Sequence, residues 1–193
     1  RMIALFLTVA TPAVFVAAAT FHHEMVPALL LTTMAAAEER LPFPILLEAL
    51  IMTVIFELLR EAGVRMPRPI GSAVSIVGAL VIGEAAVQAG LVGAPMVIVV
   101  ALTAITGFVV TAINNAVILV RFFLMLLAGT FGFYGLLLGT MFIVAHLCSL
   151  RSFGVPYLTP FAPAVLKEWR DTFVRTPLKS LQSKPRSVLR KKY

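Results

Sequence analysis

From Ala116 to Leu150 the chain carries a single ionised side chain, Arg121, in a run otherwise dominated by leucine, phenylalanine, valine, alanine and glycine. That run exceeds the roughly 20 apolar residues that take a helix across a bilayer. It therefore belongs either at the centre of a large soluble core or in lipid, and composition decides between the two. Hydrophobic residues make up 60% of the 193 and charged residues 13%, against roughly a quarter charged in a soluble domain. Too few charges remain to clothe a soluble core of this size. The expected fold is all-α: a polytopic transmembrane helical bundle of about four to six membrane segments, in which each helix satisfies its own backbone. Cys148, the only cysteine, excludes an intramolecular disulfide framework and a multi-cysteine metal site; it reads as a small apolar filler.

Proline, glycine and charge divide the chain. The predicted membrane segments are 2–21, 44–61, 71–90, 95–113, 116–128 and 130–150, with 71–90 and 116–128 able to be re-entrant instead. Pro12 lies inside the first and should kink it or free a carbonyl. His22, His23 and Glu24 follow, but adjacent helical residues diverge by about 100° and rarely share one ion, so no metal is expected there. Val26 to Ala37 is too short to span and reads as interfacial or re-entrant. Pro42 and Pro44 suit a helix start, with Glu48 in its first turns at the positive end of the dipole. Glu57, Arg60, Glu61 and Arg65 form an expected interfacial salt-bridge cluster rather than a proton relay. Asn114 and Asn115 read as a turn with a helix cap. Gly129, Gly132, Gly135 and Gly139 break the long run into a short segment and a full span, and Gly135 with Gly139 makes a GxxxG packing face. Arg121, unpaired in lipid, would cost at least about 2.5 kcal/mol; it should snorkel or meet a carboxylate, Glu84 being one partner.

Beyond Leu150 the expected organisation is a membrane-interfacial turn and amphipathic helix over 151–176, then a basic, disordered tail over 177–193. Leu166, Trp169 and Phe173 share the apolar face of the helix. The basic stretch from Arg175, with Lys179, Lys184, Arg186, Arg190, Lys191 and Lys192, should sit against anionic lipid. Nucleic acid is not an expected partner, since no aromatic or fold signature accompanies the charge. Arginines at 1, 60, 65 and 68 and the tail place those parts on the cytoplasmic side, and 22–44 outward.

The segment from Gly71 to Gly90 organises the rest. On a helix Ser72, Ser75, Ala79, Gly83, Ala86 and Gly90 fall on one face, which would let another helix approach closely and could serve oligomer assembly. Glu84 and Gln88, four residues apart, point elsewhere. No nucleophile–base–acid set, phosphate-binding glycine loop or metal spacing is visible, which argues against an enzyme and implies no cofactor. The residues leave open a conducting or gating subunit, with Glu84, Gln88, Asn114, Asn115 and Arg121, together with Thr103 and Thr106, as the polar groups of a wet path. They leave open a structural or signalling subunit, in which those groups only fasten helices. A secondary transporter is weaker, because no internal repeat is found.

Two blocks of residues carry a resemblance. The first runs Phe56-Glu57, Leu59-Arg60-Glu61-Ala62-Gly63, Pro67-Arg68-Pro69-Ile70-Gly71 and Val74 to Gly83, then Ala85-Ala86-Val87, Ala89-Gly90-Leu91-Val92 and Met96 to Ile105. The second runs from His146-Leu147 through Ser149 to Leu158 and Pro160. In these the chain resembles the A subunit of GerA-type spore germinant receptors, the nutrient receptors of endospore-forming bacteria. The resemblance covers the family's membrane part; the family's soluble N-terminal region is expected to be missing, since Arg1 stands directly before an apolar span. It implies a homo-oligomer associated with B and C subunits in the spore inner membrane. It implies a nutrient-triggered monovalent-cation channel, with the nutrient sensed mainly by the B subunit. It also implies a polar residue at position 84, as readily glutamine or aspartate, which leaves a fixed carboxylate role there in doubt.

Overall fold

In the computed structural model residues 2–110, 113–152, 155–159, 161, 162 and 177 are described, the side chains of 68–70 and 72–77 excepted. Helices α1 (Met2–Phe21), α2 (Ala28–Glu38), α3 (Ile45–Arg65), α4 (Arg68–Gln88), α5 (Ala94–Val109) and α6 (Asn114–Ser149) follow one another, with a 3₁₀ turn at His23–Met25. A two-residue hairpin, β1 (Arg151–Ser152) and β2 (Val155–Pro156), pairs Arg151 with Pro156 and Ser152 with Val155. The all-helical expectation holds, with that small hairpin added. The amphipathic segment 164–174 and the basic tail 178–193 lie outside the described residues.

Proline sets the helix starts. Pro27, Pro44 and Pro67 stand immediately before α2, α3 and α4, and α4 and α5 each carry a proline in their first turn; there a missing N–H costs nothing and φ is already helical. Glycine sets the stop of α4. Gly90 takes φ 66°, and its N–H reaches Val87 O at 3.0 Å while that of Leu91 reaches Ala86 O at 2.9 Å. This paired closure is the Schellman end of a helix.

The long apolar run turns at Gly132, with φ 61° and ψ −143° inside α6, a backbone conformation closed to residues with a Cβ. A Cβ built on Gly139 would lie 2.7 Å from Leu127 Cδ1 and 2.8 Å from Leu124 Cδ2, and one on Gly135 would overlap the Leu127 carbonyl. In a straight helix residues 127 and 139 would stand about 18 Å apart. The chain after Gly132 therefore folds back on the first part of α6 as far as Gly139, and Gly135 and Gly139 leave room for that reversal. The predicted division of 116–150 is present, with its break at Gly132.

The chain divides into two units, residues 1–139 and 140–193. Of the second, the end of α6 and the hairpin are described. In the first, α3 is the central helix. It runs antiparallel to α4, where Gly71 abuts the Gly63 carbonyl and Gly78 abuts Leu59, and parallel to α5, where Glu48 meets Gly93 and Arg60 meets Gly107. Against the first half of α6 it is antiparallel: Leu46 meets Gly129, Thr53 meets Met125 and Glu57 meets Arg121. The core includes Ala13, Val16, Ala17, Met96, Leu124, Met125 and Ala128. Outside it, large apolar side chains stand bare, Leu29 at 82%, Ile3 at 77% and Leu119 at 73% exposed. They lie on several helices, a breadth of apolar surface that lipid would cover and water would not. Among the described residues α1 and α6 are long and apolar enough to cross a membrane, and α5 and the stretch Gly78–Gln88 of α4 are shorter apolar helices. At about 16 Å, α2 is too short to span.

Candidate functional site

The most heavily charged interior lies where α3, α5 and α6 meet. Arg121, 2% exposed, sits in the first half of α6. Its Nη1 donates to Glu57 Oε1 at 3.0 Å, a residue of α3. Arg60, one turn further along α3, places Nη1 3.9 Å from Glu57 Oε2 and donates through Nη2 to the Gly107 carbonyl at 3.2 Å. That carbonyl belongs to the last turn of α5, the negative end of its dipole. The Arg60 guanidinium also lies 5.6 Å from the centre of the Phe108 ring, within cation–π range. Gly107 makes the approach possible, because a Cβ there would stand 3.2 Å from Arg60 Nη1. Beside this cluster Thr8 donates to Thr106 at 2.9 Å, tying α1 to α5. Two guanidiniums thus share one carboxylate, and one of them, Arg60, also meets the end of α5. Removing Glu57 would strand the buried Arg121 guanidinium, at a cost of about 3–5 kcal/mol, whereas removing Arg121 leaves Glu57 with Arg60 3.9 Å away.

The second polar feature is on the surface of α4. Gln88 donates from Nε2 to Glu84 Oε1 at 3.2 Å, and both side chains are exposed. They border a cleft of about 610 Å³ between α4 and α5, closed on one side by Phe56 and otherwise apolar. Ala79 and Gly83 line the same cleft. Gly83 packs within the chain, since a Cβ there would lie 3.1 Å from Val97 of α5. The small face and the polar pair, expected on separate sides, border one cleft.

The family model described as Bacillus/Clostridium GerA spore germination protein matches residues 1–187. The chain belongs to the GerA family of spore germination proteins. Spore germination protein KA of Bacillus subtilis (strain 168) is 53% identical over 190 residues, 97% of this chain and 35% of that protein. An uncharacterized membrane protein, YfkQ, of the same organism is 49% identical over 187 residues, 96% of this chain and 36% of its own length. Spore germination protein GerLA of Bacillus cereus is 42% identical over 181 residues, 93% and 37% of the two chains. This chain therefore spans about a third of the length of these relatives. No solved structure matches it.

In this GerA-family chain the polar residues singled out from sequence fall in different places. Glu84 and Gln88 are together on α4. Asn114 and Asn115 are the first two residues of α6; Asn114 Oδ1 is buried without a hydrogen-bond partner among the described residues, and Asn115 is exposed. Arg121 is paired with Glu57, not with Glu84. Thr103 turns its hydroxyl back to Val99 O at 2.7 Å. Of the small-residue face, Ala86 is half-buried and Gly90 has nothing within 4 Å of a built Cβ; the side chains of Ser72 and Ser75 lie outside the described residues. The expected salt-bridge group divides in two. Glu61 and Arg65 form an exposed pair at 2.7 Å, while Glu57 and Arg60 turn inward. Glu48, read from sequence only as a favourable first-turn carboxylate, is 2% exposed and accepts from the Gly93 N–H at 3.2 Å, at the start of α5. On α2, burial pushes the Glu38 carboxyl above its ordinary value, with His23 pulling the other way.

Proposed function

We propose that this chain is membrane-embedded sequence of a spore germinant receptor A subunit, which oligomerises with its B and C partners in the spore inner membrane and forms or gates a nutrient-triggered monovalent-cation path. The observation that carries this reading is the Glu84–Gln88 pair. It stands exposed at the edge of an apolar cleft, on a surface otherwise suited to lipid. A carboxylate facing hydrocarbon is expensive, so such a group belongs against protein or water. A ring of these pairs around an oligomer axis would attract cations. The buried Glu57–Arg121–Arg60 cluster supplies the rigid support such a path needs, tying α3, α5 and α6 at one level.

A structural subunit that assembles the receptor without conducting is the second reading. The Gln88–Glu84 hydrogen bond favours it, because each group partly satisfies the other. The oligomeric state of the full-length subunit purified with its partner subunits tests the first: the reading requires several A subunits around one axis, and a single A subunit per assembled receptor contradicts it.

A further inference from the structure

At the end of the bundle where α2 finishes and α3 and α5 begin, a small cavity of about 10 Å³ opens onto two carboxyl groups, Glu38 of α2 and Glu48 of α3. None of the residues lining it is basic. Glu48 is 2% exposed. Its Oε2 accepts from the Gly93 N–H at 3.2 Å, and its Oε1 is buried with no hydrogen-bond partner among the described residues. A buried acceptor left open is costly, and an unpaired buried charge more so. Two ionised carboxylates at one apolar cavity would also repel each other. A metal ion would want more oxygens than two side chains and so small a space supply. A proton needs only two: one oxygen carries it and the other accepts from it.

We propose that Glu38 and Glu48 share one proton across this cavity, and that the shared proton clasps α2 to the starts of α3 and α5. With the proton on Glu48 Oε1, the open acceptor becomes a donor to the Glu38 carboxylate, while Oε2 keeps the Gly93 N–H. The cavity has room for about one water, which would relay the same bond. The pair then carries one negative charge instead of two. On the other walls α1 presents Phe15 and α5 presents Pro95 and Met96, none of them ionisable, and Glu39 and Arg40 beside Glu38 are exposed. Burial pushes the Glu38 carboxyl above its ordinary value, and His23 of the 3₁₀ turn, which does not line the cavity, pulls the other way. The docked state holds a proton that an undocked α2 would release at neutral pH, so docking weakens as pH rises. Glu84 and Gln88 do not line this cavity, and the clasp does not depend on any conducting role.

The test is infrared spectroscopy of the detergent-solubilised full-length subunit through a pH titration, paired with thiol labelling of α2 in a Cys148-free background. The expected result is a component of the protonated-carboxyl C=O band at neutral pH that shifts in heavy water and fades as pH rises. That component should be missing from both Glu38→Gln and Glu48→Gln. Met34→Cys, at a buried position of α2, should gain reactivity over the pH range in which the component fades, by up to about tenfold per pH unit. Leu29→Cys, exposed on the same helix, is the reference for the pH dependence of the thiol itself. In Glu48→Gln the amide oxygen accepts from Gly93 and the amide N–H donates to Glu38 without titrating, so Met34→Cys should stay protected at high pH. Should Glu48→Gln not fold, Glu38→Gln decides by the carboxyl band alone. A band of equal strength in wild type and Glu38→Gln overturns the proposal, as does a Met34→Cys reactivity that follows Leu29→Cys at every pH.

Discussion

Glu57 and Arg121 are separated by 64 residues, and nothing local in either stretch pairs them. What was legible was the need: an arginine alone in an apolar run must find a carboxylate or reach the headgroups. The choice among acids depended on register. Because α3 and the first half of α6 run antiparallel, Leu46 meets Gly129 and Thr53 meets Met125, so position 57 falls opposite 121. Glu84 lies at the α4–α5 cleft, engaged with Gln88. The pairing gives a double-mutant prediction. Glu57→Gln should destabilise the solubilised protein by about 3–5 kcal/mol, Arg121→Gln by less because Arg60 remains beside Glu57, and the double mutant should fall well short of their sum. Arg121→Gln with Glu84→Gln should be additive within about 0.5 kcal/mol. Strict additivity for the first pair, measured by denaturant or thermal unfolding, would remove the Glu57–Arg121 contact from the account.

At the scale of elements, punctuation was legible and close approach was not. The prolines before α2, α3 and α4 mark their starts in the sequence itself, and Gly90 marks a stop. The glycine-rich stretch after Leu127 announced a break without saying which glycine bends, because that depends on how residues 133–139 pack back on 123–127. Gly132 bends, with His22 Cε1 only 3.0 Å from where its Cβ would be. Gly71, at the start of α4, meets the Gly63 carbonyl so closely that a Cβ would overlap it. A ranking follows. Gly90→Ala meets open space and should cost only about 1–2 kcal/mol for its left-handed φ. Gly132→Ala and Gly71→Ala, each with backbone strain or a backbone clash, should cost more than Gly90→Ala and lower the amount of folded protein recovered from membranes. Equal recovery of all three variants would contradict the reversal at Gly132 and the α3–α4 approach. Glu48 shows the limit of pattern reading. Its place in the first turns of α3 explained a carboxylate there, but the helix terminus that it serves belongs to α5.

For the molecule as a whole, composition was enough to give an apolar helical protein, and the residue blocks around Arg60–Gly71 and His146–Pro160 were enough to point to the GerA family. The order of the helices around α3 was not legible, since single apolar faces do not name their neighbours. The charged turn expected over Arg60–Pro69 is only the short α3–α4 connection, with Arg60 turned into the bundle; the concentration of arginine and lysine predicts that this connection and the tail are cytoplasmic. Single cysteines at Arg65 and Ser183, in a Cys148-free background, should both resist an impermeant thiol reagent applied outside intact cells; labelling of either contradicts that orientation. The proposed cation path has Glu84 and Gln88 at its border. It is tested most directly by nutrient-triggered cation flux, normalised to assembled receptor, in Glu84→Gln and Glu84→Lys. The account predicts altered flux in Glu84→Gln at nearly normal abundance, and blocked or selectivity-reversed flux in Glu84→Lys. Unchanged flux per assembled receptor in both, with abundance alone reduced, would contradict it.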